Sequence, residues 1–218
     1  MQVSHPRHFR ILNRCVEIAN EPGAPPAVTH VYASVLKEPL ETYLATSEAF
    51  VVKSDAWRKE NGEALKALEN FVGTFETGRS ALAAMHPDET LPDPLKSAPT
   101  DTDKGSAIEG LLHSVEKHKP EPWAEALLSG EFGTKAPLVV AEIDQAVQAS
   151  KDLTAACDAR AAAFGQSYEK FLAFKRVVRS AFGPTSKQYH RIHVHTRAEA
   201  DDAQPVDAAI PALPATPL

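Results

Sequence analysis

Two long stretches of the chain place apolar or small side chains at every third or fourth position. The first extends from Leu40 to Met85 and the second from Leu138 to Phe182. This spacing is the period of an α-helix and differs from the alternation of a β-strand. Each stretch predicts a helix of about 65 to 70 Å, at about 1.5 Å per residue. Such a helix is stable only when its apolar stripe packs against another element.

A proline-rich segment near the N-terminus, residues 20–26, cannot be helical throughout because its prolines lack amide donors. It separates a short predicted helix over residues 7–19 from the first long helix, which is predicted over residues 27–86. The long helix is expected to stop before Pro87, which cannot continue it.

The first long helix contains two weak points. Pro39 predicts a kink or a break near Glu38, because a proline ring disfavours helical geometry in the preceding residue. Asn61-Gly62 is a dipeptide that often forms a turn, but the apolar spacing continues through it without a slip. We therefore expect a continuous helix there and not a hairpin.

A proline-rich loop is predicted between the two long helices. Residues 87–105 contain four prolines among polar residues, which favours an extended crossover loop. Ser106 and Glu109 then have the spacing of a capping box, in which each side chain bonds a free amide of the first helical turn. This capping box predicts a helix over residues 106–117.

Two further helices complete the pattern. Proline is tolerated at the first helical position because that amide has no partner within the helix, so Pro122 predicts a short helix that ends at Leu128. The last long helix is predicted to start at Ala136 or Pro137 and to end at Phe182, before a Gly-Pro pair.

The chain changes character after the second long helix. Residues 188–196 alternate apolar residues with His193 and His195, a pattern typical of a single strand. Residues 198–218 are rich in Ala, Pro and Asp and contain too few large apolar residues to fold, which predicts a disordered tail.

These elements together predict an all-α fold. The expected architecture is an elongated antiparallel helical bundle, similar to a four-helix bundle or coiled coil, that forms one domain over residues 1–197 with residues 87–105 as a linker. The 43% hydrophobic fraction is ordinary for a soluble protein. We expect a cytoplasmic protein with no signal peptide and no membrane span, whose Cys15 and Cys157 are reduced core residues.

Charge is distributed unevenly along the chain. The net charge is −6, yet residues 170–197 and 1–14 together carry ten Lys or Arg and no Asp or Glu. Antiparallel packing would gather both segments into one basic end, which favours an anion site for a phosphorylated ligand, a nucleic acid or an acidic partner. The predicted anion-binding residues are Arg176, Arg179, Lys187 and Arg191. The alternative interpretation is that these cations complement the dipole of a helix C-terminus and the acidic residues of the tail.

Histidines are concentrated in the same terminal segments. On a strand, His193 and His195 would point to one side, and two imidazoles at that spacing can chelate a transition metal. One hypothesis is therefore a metal site at His190, His193 and His195, to which His5 and His8 would contribute if the termini meet. The alternative is an exposed histidine-rich strand.

No catalytic or cofactor motif occurs in the chain. No glutamate is followed by histidine at the third position, as a di-iron site in a helical bundle requires, and the chain has no Gly-rich phosphate loop, nucleophile elbow or zinc-protease motif. We therefore expect no cofactor and no enzymatic activity. The leading hypothesis is a structural or interaction protein that binds a protein partner or a second copy of itself. The anion or nucleic-acid site and the histidine metal site are its alternatives.

Overall fold

The computed structural model describes residues 4–193, and every regular element in this range is a helix. The all-α prediction is confirmed. A π-helical turn over Tyr32–Leu36 lies between α2 and α3. The α-helices are α1 (His5–Ala19), α2 (Pro26–Val31), α3 (Lys37–Met85), α4 (Asp101–Lys117), α5 (Pro122–Ser129), α6 (Glu131–Phe182) and α7 (Lys187–Ile192).

The contacts within the chain divide it into two compact units. Unit 1 combines the chain up to Lys37 with the chain from Tyr168 onward, and unit 2 is Glu38–Ser167. Helix α6 contributes its last turns to unit 1 and the rest of its length to unit 2.

Unit 2 contains a hydrophobic core formed by four helices and one loop residue. Helix α3 contributes Phe71 and Phe75, and α6 contributes Phe132, all of them almost completely buried. Leu95 packs into the same core from the loop between α3 and α4. The other members of the core are Leu68, Leu82, Ala107, Ile108, Leu111, Val115, Ala124, Ala136, Val139 and Ile143.

Within unit 2, α3 and α6 pack side by side in opposite directions. Four contacting pairs follow one another along the two helices, and the residue number falls on α6 as it rises on α3. The pairs are Tyr43 with Phe164, Phe50 with Arg160, Lys53 with Asp152, and Phe71 with Phe132. This order is that of an antiparallel pair of helices. The full bundle stays a prediction.

The predicted kink near Pro39 is replaced by a widened helical turn. The chain is helical from Pro26 to Met85, with the π-helical turn directly before α3. Proline at position 39 has no amide to donate, and its ring would crowd the carbonyl of Val35 in an α-helix. A π turn is wider than an α turn, so the chain accommodates Pro39 without a loop.

The continuity of the first long helix through Asn61-Gly62 is confirmed. Both residues lie in α3, which extends without interruption from Lys37 to Met85. Neither residue is buried, so the helix is maintained there by the apolar positions on either side.

The capping box of α4 lies six residues, almost two helical turns, earlier than predicted. The Thr100 hydroxyl accepts a hydrogen bond from the Asp103 amide at 3.1 Å, and the Asp103 carboxylate accepts one from the Thr100 amide at 3.1 Å. The predicted box at Ser106 and Glu109 is wrong because both residues lie inside a helix that has already begun at Asp101. The crossover loop is correspondingly shorter than the predicted range 87–105.

Removal of the Thr100 hydroxyl is expected to destabilise the protein by about 1 kcal/mol, the usual contribution of an N-cap side chain. The measurement is urea unfolding of Thr100→Ala followed by circular dichroism. Thr102→Ala is the matched control, because Thr102 is an exposed residue of the same first turn. Equal unfolding midpoints for the two variants would contradict the assigned cap.

Helix α5 starts at Pro122, as predicted, but α6 begins at Glu131 and not at Ala136 or Pro137. A Cβ atom added at Gly133 would lie 2.0 Å from the carbonyl oxygen of Leu128. Only glycine therefore permits the close turn from α5 into α6. Pro137 lies inside α6, where the backbone hydrogen bond to the Gly133 carbonyl is absent.

Unit 1 brings the N-terminal helix together with the end of the described chain. Helix α1 packs against α7, and its His8 ring contacts Phe171 of α6 with ring centroids 6.4 Å apart. Tyr32 contacts Phe174 at 6.3 Å. The buried residues of unit 1 also include Ile11, Leu12, Cys15, Ile18, Val28, Leu36, Val178 and Ile192.

The predicted strand over residues 188–196 is wrong within the described range. Residues Lys187–Ile192 form α7, whose amide at Tyr189 is capped by the Ser186 hydroxyl at 3.2 Å. Ile192, whose apolar side chain suggested the alternation of a strand, is buried and lies on the packed face of this short helix. Residues 194–218, with the predicted tail, lie outside the described residues.

The two cysteines are free and differ in environment. Cys15 is completely buried in α1, and burial raises the pKa of its thiol. Cys157 is only partly buried, so the prediction of a core residue holds for Cys15 alone.

Candidate functional site

The last turns of α6 carry a basic hollow in unit 1. It has a volume of about 190 Å³ and is lined by Leu172, Lys175, Arg176, Arg179 and Tyr189. The four α6 residues have the spacing that places side chains on one face of a helix. Arg176 and Arg179, two of the predicted anion-binding residues, are therefore brought to the same site.

The turn after α6 positions Tyr189 at this hollow. Gly183 adopts a left-handed conformation with φ of 92°, and its amide donates to the Arg179 carbonyl at 3.0 Å. This conformation is the usual glycine termination of a helix. Ser186 then donates to the Gly183 carbonyl at 2.8 Å and caps α7, whose first turn contains Tyr189.

The three cations of the hollow have different environments. Arg176 and Arg179 are exposed, whereas Lys175 is partly buried with its Nζ atom 5.7 Å from the centroid of the Tyr189 ring. Burial lowers the pKa of Lys175. Among residues 4–193, no carboxylate forms an ion pair with any of the three. Within the described part of the chain, the charge of these three side chains is therefore not neutralised by a carboxylate.

Arg191, another predicted anion-binding residue, has a structural role instead. Its guanidinium forms ion pairs with Glu17 and Glu21 of α1. Its carbonyl accepts a hydrogen bond from Arg14 at 3.0 Å, and Gln188 donates to Glu21 at 3.1 Å. These contacts attach α7 to α1. The fourth predicted residue, Lys187, is exposed on α7 and does not line the hollow.

The predicted histidine metal site is not assembled by the described residues. His190 and His193 lie at the end of α7, where both rings contact Tyr189. His195 lies outside the described residues. His8, a suggested additional ligand, is buried against Tyr168 and Phe171 in unit 1. Within residues 4–193, none of these histidines belongs to a group of three potential metal ligands.

The environment of His8 strongly favours its neutral form. Burial lowers the pKa of His8 to about 4, and the nearby His5 adds a smaller lowering. A proton on this ring would have to be accommodated in the aromatic surroundings of the unit 1 core.

A second group of chemical side chains lies in unit 2 and was missed by the sequence analysis. It joins His86, which follows α3, with His118 at the end of α4 and Glu121 at the start of α5. The rings of His86 and His118 stack with centroids 3.7 Å apart. The only local signal in the sequence is the spacing of three residues from His118 to Glu121.

Two more residues complete this group. The Nε2 atom of His118 lies 2.7 Å from a carboxylate oxygen of Glu89, and the Trp123 indole donates to Glu121 at 2.7 Å. The hydrogen bond from His118 holds the pKa of Glu89 below its usual range, with a further lowering from Lys117. The Trp123 hydrogen bond lowers the pKa of Glu121, and His86 adds to that effect.

Comparison with known proteins assigns no family to this chain. No family model, curated protein or solved structure matches the chain. Among the described helices, none combines the length and the apolar character required to cross a membrane.

Proposed function

We propose that this protein is a non-enzymatic binding protein that recognises a phosphate monoester at the basic hollow of unit 1. The observation that supports the proposal is the presence of three cations and one tyrosine around a single hollow, with no ion-paired carboxylate among the described residues. This proposal takes up the anion-binding alternative of the sequence analysis and retains Arg176 and Arg179 of its four residues.

The chemistry of the lining favours phosphate over a carboxylate. Arg176 and Arg179 each offer a planar set of N–H donors, which matches the oxygens of a phosphate and allows bidentate hydrogen bonds. Lys175 adds a third positive charge from a partly buried position, where it is less screened by solvent than an exposed lysine. A dianionic group gains more from three cations than a monoanion.

The size of the hollow favours one phosphate group over a nucleic-acid strand. A volume of about 190 Å³ accommodates one phosphate with a short stem. Nucleic-acid binding without sequence preference normally requires a groove that follows several phosphates and aromatic rings on which bases stack. Tyr189 is the only aromatic residue that lines the hollow.

The test is isothermal titration calorimetry of the full chain with inorganic phosphate, with a phosphotyrosine peptide and with a single-stranded oligonucleotide. We expect binding of phosphate and of the peptide that weakens as the salt concentration rises. Tighter binding of the peptide than of inorganic phosphate would indicate that the ligand is a phosphorylated protein. Equal binding of the two would indicate a free phosphate-bearing ligand.

The charge reversal Arg179→Glu is expected to weaken phosphate binding at least tenfold, about 1.4 kcal/mol, because it removes a donor and adds a repulsive charge. Arg58→Glu is the matched control, since it makes the same charge change on α3 in unit 2. The proposal is wrong if both variants bind phosphate equally, if millimolar phosphate does not bind at low salt, or if only the oligonucleotide binds.

A further inference from the structure

We propose that His86, His118 and Glu121 form a zinc site in unit 2, with Glu89 and Trp123 as hydrogen-bonding partners that orient the ligands. The proposal is independent of the phosphate site because it uses other residues in the other unit. It rests on the distances between the ligand atoms, on the partners of those ligands and on the positions of the three residues at helix ends.

The three residues are placed by the ends of α3, α4 and α5. His86 is the first residue after α3, where its amide donates to the Leu82 carbonyl at 2.8 Å, and His118 follows α4 directly. Glu121 is the N-cap residue of α5, yet its side chain does not cap that helix. The Glu121 carboxylate is directed instead toward the two imidazoles and Trp123.

Two of the distances between the candidate ligand atoms are close to those around a tetrahedral ion. The Oε1 atom of Glu121 lies 3.1 Å from Nε2 of His86 and 3.2 Å from Nδ1 of His118. Ligands at about 2.1 Å from a tetrahedral zinc ion are about 3.4 Å from each other. The observed distances are close to the edges of such a coordination sphere.

The second nitrogen of His118 has the partner that a metal-bound histidine normally has. A ligating imidazole usually donates its other N–H to a carboxylate or a carbonyl, which fixes the ring and its tautomer. Here Nε2 of His118 lies 2.7 Å from Oε2 of Glu89. The Trp123 indole orients Glu121 in the same manner, at 2.7 Å from Oε2.

This hydrogen-bond pattern leaves a position that needs a positive charge. A neutral imidazole has one N–H, and when that proton of His118 is on Nε2, which lies 2.7 Å from Glu89, Nδ1 has a free lone pair. The lone pair of Nδ1 then faces the Glu121 oxygen at 3.2 Å, and two lone pairs repel each other unless a cation or a proton lies between them. A zinc ion in this position would satisfy both atoms.

Binding requires one local rearrangement, in the ring of His86. The His86 and His118 rings are nearly parallel, with 19° between their planes, so their lone pairs do not converge on one point. Binding would require His86 to rotate about its Cβ–Cγ bond so that the Nε2 lone pair is directed at the ion. The His86 side chain is 28% exposed, so an ion can reach it from solvent.

The donor set selects the type of metal. Two imidazole nitrogens and one carboxylate oxygen suit zinc, whereas calcium and magnesium prefer oxygen ligands alone. Three protein ligands leave the fourth tetrahedral position to a water molecule. The site would therefore hold an exchangeable zinc ion with an open position.

The experiment is a zinc titration of the full chain, expressed without a histidine tag and stripped with a chelator, against a chromophoric indicator. We expect one zinc ion per chain. Removal of a ligand in His118→Gln or Glu121→Gln should abolish this binding, and removal of an orienting partner in Glu89→Gln should weaken it by about 10- to 100-fold. Circular dichroism verifies that each variant is folded.

The controls locate the zinc ion within the chain. His113→Gln changes an exposed histidine of α4 and is expected to bind zinc as the original chain does. The double variant His190→Ala and His193→Ala tests the site predicted from the sequence. Zinc binding that is lost in the double variant but retained in His118→Gln would overturn the proposal, and so would the absence of binding at micromolar zinc.

A measurement on the original chain avoids dependence on the variants. Imidazole ¹⁵N spectra are expected to show the Nδ1 resonance of His118 shifting when zinc is added to the metal-free protein. A His118 ring that carries protons on both nitrogens and does not respond to zinc would mean that a proton, not a metal ion, occupies the position between His118 and Glu121.

Discussion

Replacement of Phe71 with alanine is expected to lower the free energy of unfolding by about 4 kcal/mol, within the range for large-to-small substitutions of buried phenylalanine. Phe71 is completely buried, stacks on Phe132 with centroids 5.9 Å apart and contacts Phe75 at 6.5 Å. The variant loses both the buried apolar area and the ring contacts, and the surrounding helices cannot close the cavity completely.

The measurement is equilibrium unfolding of Phe71→Ala in urea, followed by far-ultraviolet circular dichroism. Val52→Ala is the matched control on the same helix, because Val52 is 66% exposed and its truncation should change stability by no more than about 0.5 kcal/mol. A loss of stability in Phe71→Ala no larger than that of the control would contradict the assigned core of unit 2.

Acid is expected to destabilise the protein through His8 by about 3 kcal/mol, since the pKa of this buried ring is lowered from 6.5 to about 4. The unfolded chain binds a proton at His8 below pH 6.5, whereas the folded chain does so only near pH 4. The free energy of unfolding therefore does not depend on the protonation of His8 above pH 6.5, and it falls progressively as the pH decreases toward 4.

The test compares the free energy of unfolding of the original chain and of His8→Gln from neutral pH down to pH 4. Glutamine does not titrate, so the variant should lose less stability than the original chain over this range. His113→Gln, which changes an exposed histidine, should retain the original pH dependence. Identical curves for the original chain and His8→Gln would show that His8 does not have the lowered pKa.

Much of the helical structure could be predicted because its signal is local and repeated. The apolar spacing of α3 extends over many turns, and it correctly outweighed the turn tendency of Asn61-Gly62. The start of α6 could not be predicted in the same way. Gly133 interrupts a helical pattern in the sequence, and only the structure shows that glycine is required there by the carbonyl of Leu128.

The end of the chain shows where a short pattern fails. Alternation around Ile192 extends over too few residues to distinguish a strand from the packed face of a short helix. The Ser186 cap and the burial of Ile192 decide in favour of the helix, and the burial depends on packing that the sequence does not display.

The candidate sites were predictable only in part for the same reason. A run of cations without acids indicated Arg176 and Arg179, which lie within one helical turn of each other. The ion pairs of Arg191 with Glu17 and Glu21 join residues that are far apart in the sequence. The group around His86 and His118 likewise requires the ends of separate helices to meet, and no local pattern encodes that proximity.

The π-helical turn at Tyr32–Leu36 allows the chain to change the direction of its apolar side chains without leaving the helix. Val28 and Leu36 are both completely buried, although a spacing of eight residues overshoots two turns of an α-helix by about 80°. A π turn advances less per residue and removes most of this overshoot. The wide turn thus accommodates one extra residue while keeping both side chains in phase, and a deletion there would leave them seven residues apart, within about 20° of the same face of an ordinary α-helix.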